Sequence, residues 1–377
     1  MLAHLVCNYF VTLHIMHIAI DARIISSSTG RYVERLLHYL EKIDSTNSYT
    51  VLVRKKDEFY WKPTNKNFTV RVAEFDNYSL AEQIGFKTFL DNLSADLVHF
   101  CMPQQPVLYK GKTVTTIADL TLLKTYNSDK NWFVYHFKQF VGRFVFKRVA
   151  RKSKIVIAIS EYTKQDIVAL SKIPGSKVRV TLLAAETPNT HELEEYVLPF
   201  KQFIMYVGQQ PDYKNIRRLG EAHQKLLKEH PDLGLVLVGK KADDTRANEA
   251  YFTKKGYRNI VFTDFIPDNQ RDWLMQHTSA YVFPSLMEGF GLPGLEAMAV
   301  GTPVVSSNAT CLPEIYGDAA EYFDPKDTND IANAIEQVIN DQELRARLIT
   351  AGHKQVKKYS WLRTAEQTHQ AYIDALK

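Results

Sequence analysis

Cysteine is scarce in this sequence, since Cys7, Cys101 and Cys311 are the only three in 377 residues and lie far apart. This spacing indicates reduced thiols rather than a disulfide framework, so we expect a cytoplasmic protein. Strong charge is also lacking, because the formal net charge is only +5 and no nucleic-acid-binding motif is present. We therefore expect no nucleic acid partner, although a mild positive charge suits phosphate-bearing ligands.

Long apolar runs are lacking as well. No stretch approaches the ~18 consecutive apolar residues of a membrane span. Residues 1–15, MLAHLVCNYFVTLHI, are apolar but have neither a basic start nor a small-residue cleavage site, so we expect no signal peptide. The first strand pattern, MHIAIDAR, begins at Met16. Residues 1–15 are therefore predicted to be an N-terminal extension.

Short apolar runs that favour strands alternate with helical patterns along the rest of the chain. A polar stretch with two prolines, residues 186–201, divides these runs into two series and is typical of a linker. Alternation of strands and helices predicts parallel sheets, and a chain this long exceeds one hydrophobic core. The predicted strands are 17–23, 49–55, 68–75, 96–101, 113–120, 154–160 and 177–184, then 203–208, 232–239, 259–265, 280–285, 302–308 and 320–324.

We therefore predict an α/β protein of two doubly wound, Rossmann-like domains that face a deep interdomain cleft. The predicted boundaries are 16–185 for the N-terminal domain, 186–358 for the C-terminal domain and 359–377 for a final helix. Ligands of open α/β sheets bind outside the carboxyl ends of the strands, so the cleft is the expected site.

A glycine-rich turn in the second series carries two carboxylates. In PSLMEGFGLPGLEAMAVG, residues 284–301, Glu288 and Glu296 are separated by seven residues, and Pro293 suits the first turn of a following helix. The amides of Gly289–Leu292 and the helix N-terminus favour an anion such as diphosphate. Glu296 would also complement the helix dipole. Two acids beside an anion site are explained if the ligand also carries hydroxyls, because carboxylates accept hydrogen bonds from hydroxyls.

This pattern of two glutamates at a strand–helix junction resembles the hallmark of the family 4 retaining glycosyltransferases, which have the GT-B fold. Three other stretches are similar to the same family: MHIAIDARIISSSTGRYVERLL, MYVGQQPDYKN and SWLRTAEQTHQAY. The resemblance covers nearly the whole chain from Met16. It implies transfer of a hexose from a nucleotide-diphosphate sugar to a glycan or lipid-linked hydroxyl, in a mannosyltransferase-like manner. It also implies that the final helix crosses back onto the N-terminal domain.

The resemblance implies roles for individual residues. Glu296 would hold the ribose, Glu288 would contact the donor sugar, and Lys214 would neutralise the leaving diphosphate. The last role agrees with physics, because cleavage builds negative charge on the departing phosphate. The other donor-binding residues implied are Gly208, Gln209, Gly289, Phe290, Gly291 and Leu292, and the residues implied at the acceptor side of the cleft are Gly30, Asp119 and His99.

Two positions depart from the family pattern. Gln209 stands where the family usually has an arginine, so a positive charge is missing. Ala118 stands before Asp119 where the family commonly has a histidine, so the role of an imidazole is lost or moved. His99, at the end of a predicted strand on the same sheet edge, is a candidate to lie nearby, although a histidine there is more often structural.

No Asp-x-Asp pair or histidine cluster indicates a divalent ion, so we expect no metal and no cofactor beyond the nucleotide-sugar co-substrate. Lys214 and the helix N-terminus would take the place of a metal.

Residues 131–154 combine aromatic and basic side chains. The pattern favours a helix that covers the sheet and has a solvated basic end. The alternative is peripheral contact with the inner face of an anionic membrane, where lipid-linked acceptors would be found. The aromatic residues at helical spacing are Phe133, Phe137, Phe140 and Phe144, and the basic residues are Lys138, Arg143, Lys147, Arg148, Arg151 and Lys152.

Three other functions remain open from the sequence. Ala118 and Gln209 are compatible with a non-catalytic protein that binds sugar nucleotides. A GT-B epimerase fits the same pattern. A hydrolase ranks last, because glycosidase carboxylates flank the scissile bond, whereas Glu288 and Glu296 bracket a phosphate turn.

Overall fold

The computed structural model describes residues 15–27, 29–77, 79–125, 132–186 and 192–377, with backbone only for 132–135, 137 and 138. These residues form two separate parallel β-sheets of seven and six strands. Helices cover both faces of each sheet, which is why many strands, such as IVIA at 155–158, are continuous apolar runs without alternation.

The N-terminal sheet has the strand order β3-β2-β1-β4-β5-β6-β7. Its register places Ala19 of the interior strand β1 between Thr50 and Val98 of the two neighbouring strands. The strands are β1 His17–Asp21, β2 Ser48–Val53, β3 Phe68–Val72, β4 Leu97–Phe100, β5 Thr113–Ile117, β6 Ile155–Ala158 and β7 Val178–Val180. The helices are α1 Gly30–Ile43, α2 Lys87–Leu93, α3 Thr121–Lys124, α4 Trp132–Lys152 and α5 Glu161–Ser171.

The C-terminal sheet has the order β10-β9-β8-β11-β12-β13, so the chain reverses direction across the sheet between β8 and β11. Such a reversal opens a crevice at the carboxyl ends of the two strands. The strands are β8 Phe203–Val207, β9 Gly234–Val238, β10 Ile260–Phe262, β11 Ala280–Phe283, β12 Val304–Ser307 and β13 Ala320–Phe323. The helices are α6 Ile216–Leu226, α7 Asp243–Lys255, α8 Asp268–His277, α9 Leu292–Ala299, α10 Leu312–Tyr316, α11 Thr328–Asn340 and α12 Gln342–Val356.

The last helix, α13 Trp361–Leu376, leaves the C-terminal domain and packs on α1 and on β4, β5 and β6 of the first sheet. Polar contacts anchor it there. His369 Nε2 lies 3.0 Å from the Asp44 carboxylate, and the Thr364 hydroxyl donates to the carbonyl of Leu182. Ser360 caps the helix by accepting a hydrogen bond from the amide of Arg363.

The predicted α/β class and the two doubly wound sheets are confirmed, and every predicted strand corresponds to an observed one. The observed strands are shorter because the predicted runs include residues that already leave the sheet. Gly239 shows this well, since its φ of +154° lies outside the strand region. Residues 1–14 of the predicted extension and residues 187–191 of the predicted linker lie outside the described residues.

Candidate active site

The glycine-rich turn joins β11 to α9 and faces the N-terminal domain. Gly291 has a φ of +96°, which a side chain would strain, and it caps the N-terminus of α9. The buried Tyr316 hydroxyl donates to the Gly291 carbonyl at 2.6 Å. The amides of residues 289–292 donate no hydrogen bond to any other described residue. The turn is therefore rigid and presents free N–H groups.

Lys214 and Glu288 meet beside this turn. Lys214 ends a short 3₁₀ helix after β8, Glu288 follows β11, and β8 and β11 are neighbouring strands. The ammonium lies 2.6 Å from the carboxylate, and the two side chains are 17% and 12% exposed. Burial alone would lower the pKa of Lys214, but Glu288 and, more weakly, Asp119 outweigh it and raise that pKa. Lys214 is therefore held as a cation in a mostly dry site.

Glu296, the fifth of the eight residues of α9, forms an ion pair with Arg31 across the cleft. Arg31 is the second residue of α1, so the pair brings the N-terminal ends of two helices towards each other. Its guanidinium side chain is 40% exposed, whereas that of Glu296 is 12% exposed. Arg31 is not among the residues expected from the sequence. Its position in the sequence could have indicated it, because Arg31 directly follows Gly30, which was expected at the cleft.

The N-terminal face of the cleft touches the turn at Gly289. A side chain on Gly289 would come within 2.5 Å of the Ala118 carbonyl and 3.0 Å of Asp119 Cβ. The buried Ser160 hydroxyl donates to the Gly289 carbonyl at 2.9 Å. Asp119 also accepts a hydrogen bond from the amide of Thr121, which fixes its side chain. Gly289 therefore permits close domain contact as well as backbone access to a ligand.

A second contact between the domains lies beside the first. The Glu314 carboxylate at the start of α10 accepts from the amides of Glu161 and Tyr162, at 2.7 and 2.9 Å. These amides are among the unsatisfied donors at the N-terminus of α5, where a carboxylate is stabilised by the helix dipole. Neither Glu314 nor Ser160 is singled out by the sequence. We call Ser160, Gly289, Glu314 and the N-terminus of α5 the interdomain clasp.

The remaining predicted donor residues lie around the same turn. Gly208 follows β8 with a φ of +140°, and its carbonyl would be 2.4 Å from a side chain at Gly239. Gln209 is exposed, and the hydroxyl of Tyr206 donates to its carbonyl. Phe290 is buried edge-to-face against a tyrosine, and Leu292 begins α9 half-buried.

Two predicted cleft residues are placed elsewhere or serve packing. His99 lies in the core, where Tyr372 of α13 and Thr116 hydrogen-bond its two ring nitrogens at 2.7 and 2.9 Å. Burial lowers its pKa to about 3, so it is a neutral structural residue and does not replace the missing imidazole. Gly30 is buried, and a side chain there would collide with the Ile25 carbonyl at 1.8 Å, so this glycine allows the loop to pack closely on α1.

Within the described residues, no group of three or more His, Cys, Asp or Glu side chains could hold a metal ion. None of the described helices is both long and apolar enough to cross a membrane.

The cleft therefore combines free amides, the cations of Lys214 and Arg31, and the carboxylates of Glu288 and Glu296. Amides and cations bind an anionic leaving group and stabilise the charge that grows on it during cleavage. Carboxylates accept hydrogen bonds from hydroxyls. A phosphorylated sugar or nucleotide offers both kinds of partner.

Comparison with known proteins identifies the second domain. A family model described as glycosyl transferases group 1 matches residues 195–355, the segment that carries Lys214, Glu288 and Glu296. Residues 195–355 are a glycosyl transferases group 1 domain. The group 1 domain contains all of β8–β13 and the glycine-rich turn.

The whole chain has the GT-B fold. Sucrose-phosphate synthase from Thermosynechococcus elongatus superimposes with a TM-score of 0.74 at 18% identity, over 95% of this chain and 98% of that one. The O-antigen chain mannosyltransferase B of Escherichia coli is 33% identical over 233 residues, which is 58% of this chain and 60% of the relative. The serotype-specific mannosyltransferase WbdA of Escherichia coli is 25% identical over 92% of this chain and 44% of its own length. This chain thus spans about half the length of these two mannosyltransferases.

Proposed function

We propose that this protein is a retaining hexosyltransferase that moves mannose from a nucleoside-diphosphate sugar to a hydroxyl of a glycan acceptor. The observation that carries the proposal is the Lys214–Glu288 ion pair beside the free amides of the glycine-rich turn. The names of the mannosyltransferase relatives supply the sugar and the class of acceptor.

In this proposal the diphosphate lies on the amides of residues 289–292 and on the Lys214 ammonium, and the ribose hydroxyls bind Glu296. Glu288 faces the transferred sugar. The bond between the anomeric carbon and the phosphate oxygen breaks as the acceptor oxygen bonds to the same face of that carbon. The acceptor proton passes to the departing diphosphate. Fixed positive groups favour this step because they bind the leaving group more tightly as its charge grows.

The test has two stages. Thermal unfolding with ADP, GDP and UDP identifies the base, since a ligand that binds only the folded state raises the unfolding temperature. The matching nucleoside-diphosphate mannose, glucose and galactose are then incubated with mannosylated oligosaccharides, and the product anomer is assigned by NMR. We expect transfer of mannose with retention. Inverted products would contradict the retaining mechanism, and stabilisation by none of the nucleotides would contradict the proposal as a whole.

A second candidate is a protein that binds sugar nucleotides without transferring sugar. Two residues favour this candidate. Ala118 provides no imidazole, and the exposed Gln209 carries no positive charge. The two candidates differ in turnover, since a binding protein would be stabilised by the nucleotide but would release none from the sugar nucleotide. A GT-B epimerase would instead release an altered sugar without an acceptor.

The acceptor side carries a surface suited to a lipid-linked glycan. In α4, Phe146 and Val149 are buried against the sheet, whereas Phe140 and Phe144 are 72% and 58% exposed. The side chains of Phe133 and Phe137 lie outside the described residues. We propose that the exposed phenylalanines and the basic end of α4 contact an anionic membrane. Location at the cytoplasmic face stays a prediction.

Sedimentation with liposomes tests this contact. Replacing Phe140 and Phe144 by serine should reduce binding to anionic liposomes and leave thermal unfolding unchanged. Exchange of the exposed Phe59 for serine is a matched control, because it is equally exposed but lies away from α4. No liposome binding by the unmodified protein would contradict the proposal.

A further inference from the structure

Among the described residues beside the glycine-rich turn, two cations, Lys214 and Arg31, lie near the three carboxylates of Glu288, Glu296 and Asp119. Both cations are held by carboxylates. A diphosphate brought into this arrangement would be repelled unless the cations turn to it.

A ligand with hydroxyls changes the balance. Each carboxylate can exchange its cation for sugar hydroxyls, because an ionised carboxylate accepts hydrogen bonds from hydroxyl groups. Once Glu288 and Glu296 bind hydroxyls, Lys214 and Arg31 are free for the phosphates. The exchange costs little at Glu296, because the side chain of Arg31 is 40% exposed and its pair is partly solvated.

The position of Arg31 suits a phosphate ligand. Its guanidinium contacts Glu296, which lies four residues along α9 from Leu292, or about 6 Å at the rise of an α-helix. The free amides of the glycine-rich turn lie within the reach of an arginine side chain from that point. An arginine also matches phosphate geometry better than a lysine, because its planar fork donates two parallel hydrogen bonds.

Another arginine near Glu296 is already engaged. Arg271 donates to Asp272 through two nitrogens at 2.9 and 2.7 Å and to Asp268 at 2.7 Å. Its side chain is only 20% exposed. Arg271 is therefore a fixed part of α8, whereas the partner of Arg31 among the described residues is Glu296, which the ribose would engage.

We propose that Arg31 is a donor-binding residue, supplied by the N-terminal domain, that moves from Glu296 to the diphosphate when the ribose binds. It provides the positive charge that Gln209 lacks. The inference rests on the proposed function, because it assumes a nucleoside-diphosphate ligand. It also links donor binding to domain closure, since Arg31 and the glycine-rich turn belong to different domains.

The first experiment measures the affinities of ADP, GDP and UDP and of the matching nucleosides by titration calorimetry. Arg31→Gln should weaken the binding of the preferred diphosphate by about tenfold or more, because a charge-assisted phosphate contact is lost. It should leave the affinity for the nucleoside unchanged or higher, because Glu296 is freed for the ribose. The affinity of Arg31→Lys for the diphosphate should lie between those of the unmodified protein and Arg31→Gln. Lysine keeps the positive charge but cannot donate the two parallel hydrogen bonds of a guanidinium.

Arg35→Gln is the matched control. Arg35 lies one turn further along α1 and pairs with Glu186, outside the glycine-rich turn, so both affinities should stay as in the unmodified protein. Equal loss of diphosphate and nucleoside binding in Arg31→Gln would show that Arg31 is structural and overturn the inference. No change in either affinity would overturn it as well.

A second experiment uses pyrophosphate, which has no ribose to displace Arg31. Glu296→Gln should tighten pyrophosphate binding several-fold, and the added Arg31→Gln substitution should remove that gain. A gain that survives in the double variant would contradict the inference. If no nucleoside diphosphate binds the unmodified protein, the proposed function fails first, and the role of Arg31 fails with it.

Discussion

The C-terminal face of the cleft comes from residues 288–296 and the loop that carries Lys214, whereas the N-terminal face consists of single residues that follow several different strands. Glu288, Glu296 and the amides between them belong to one turn and helix, braced by Tyr316. Arg31, Asp119 and Ser160 follow β1, β5 and β6. The residues of the C-terminal face are thus positioned within one domain. Those of the N-terminal face act on the site only when they contact the C-terminal domain. We therefore expect substitutions on the C-terminal face to affect chemistry most, and those on the N-terminal face to affect assembly of the cleft.

The largest effect is expected at Glu288. Glu288→Gln should reduce sugar transfer by about 10²–10³-fold, because one electrostatic contact in the transition state is lost. Affinity for the nucleoside diphosphate should stay nearly intact, since Glu288 faces the sugar. Glu296→Gln should instead weaken nucleotide and sugar nucleotide alike. Steady-state kinetics and calorimetry on both variants test this difference, and transfer at the unmodified rate by Glu288→Gln would refute the role of this carboxylate.

Lys214 should rank second. Lys214→Ala should weaken nucleoside-diphosphate binding by about 10–100-fold, the range for a lost hydrogen bond to a charged group. The matching nucleoside should lose much less affinity. Lys225→Ala is the control, because this lysine lies on α6 with an asparagine as its partner. Calorimetry measures the affinities for the nucleoside diphosphate and the nucleoside. An equal loss of affinity for both would mean that Lys214 only stabilises the structure of its loop.

The anchor of α13 should influence stability rather than chemistry. Burial would raise the pKa of Asp44, but hydrogen bonds from His369, Tyr49 and Asn47 outweigh it and hold that pKa well below its ordinary value. A depressed carboxyl pKa stabilises the folded state above the unfolded pKa of ~3.9, and this contribution is lost as the pH falls below it.

Asp44→Asn should therefore lower the free energy of unfolding by about 1–3 kcal/mol at pH 7. The difference from the unmodified protein should shrink as the pH falls towards 3. Urea unfolding at several pH values gives both quantities. Asp374→Asn is a control on α13 itself, where the carboxylate pairs with Arg179 nearer the surface and a smaller change is expected. A difference that grows as the pH falls would contradict this account.

The smallest effect is expected at the interdomain clasp. Glu314→Gln keeps one acceptor oxygen but loses the charge that suits the N-terminus of α5, so kcat/KM should fall about two- to fivefold. Nucleotide affinity should hold, because Glu314 contacts the amides of Glu161 and Tyr162 and none of the residues proposed to bind the nucleotide. Asp318→Asn, another exposed acid of that domain, should change neither value. A larger loss of kcat/KM in Glu314→Gln than in Lys214→Ala would contradict this ranking.

The sheets were predictable because buried parallel strands appear as short apolar runs between helices. The relation of Lys214 to Glu288 was accessible for a related reason, since both follow strands of the second series. The structure adds that β8 and β11 are neighbours and brings the two charges to 2.6 Å.

The N-terminal face was harder to predict because its contacts join distant parts of the chain. Arg31 and Glu296 are 265 positions apart, and Ser160 and Gly289 are 129 apart. No local pattern in the sequence indicates that these residues contact one another. His99 was misplaced for the same reason: a strand end indicates the sheet edge, but only the packing of α13 shows that Tyr372 covers the imidazole.

The return of α13 means that the chain passes between the domains twice, once at residues 186–201 and once between α12 and α13. Two covalent connections restrict the relative motion of the two domains more than a single connection would. Removing α13 would therefore do more than shorten the chain, because it would leave residues 186–201 as the one connection and uncover the part of the N-terminal sheet on which α13 packs.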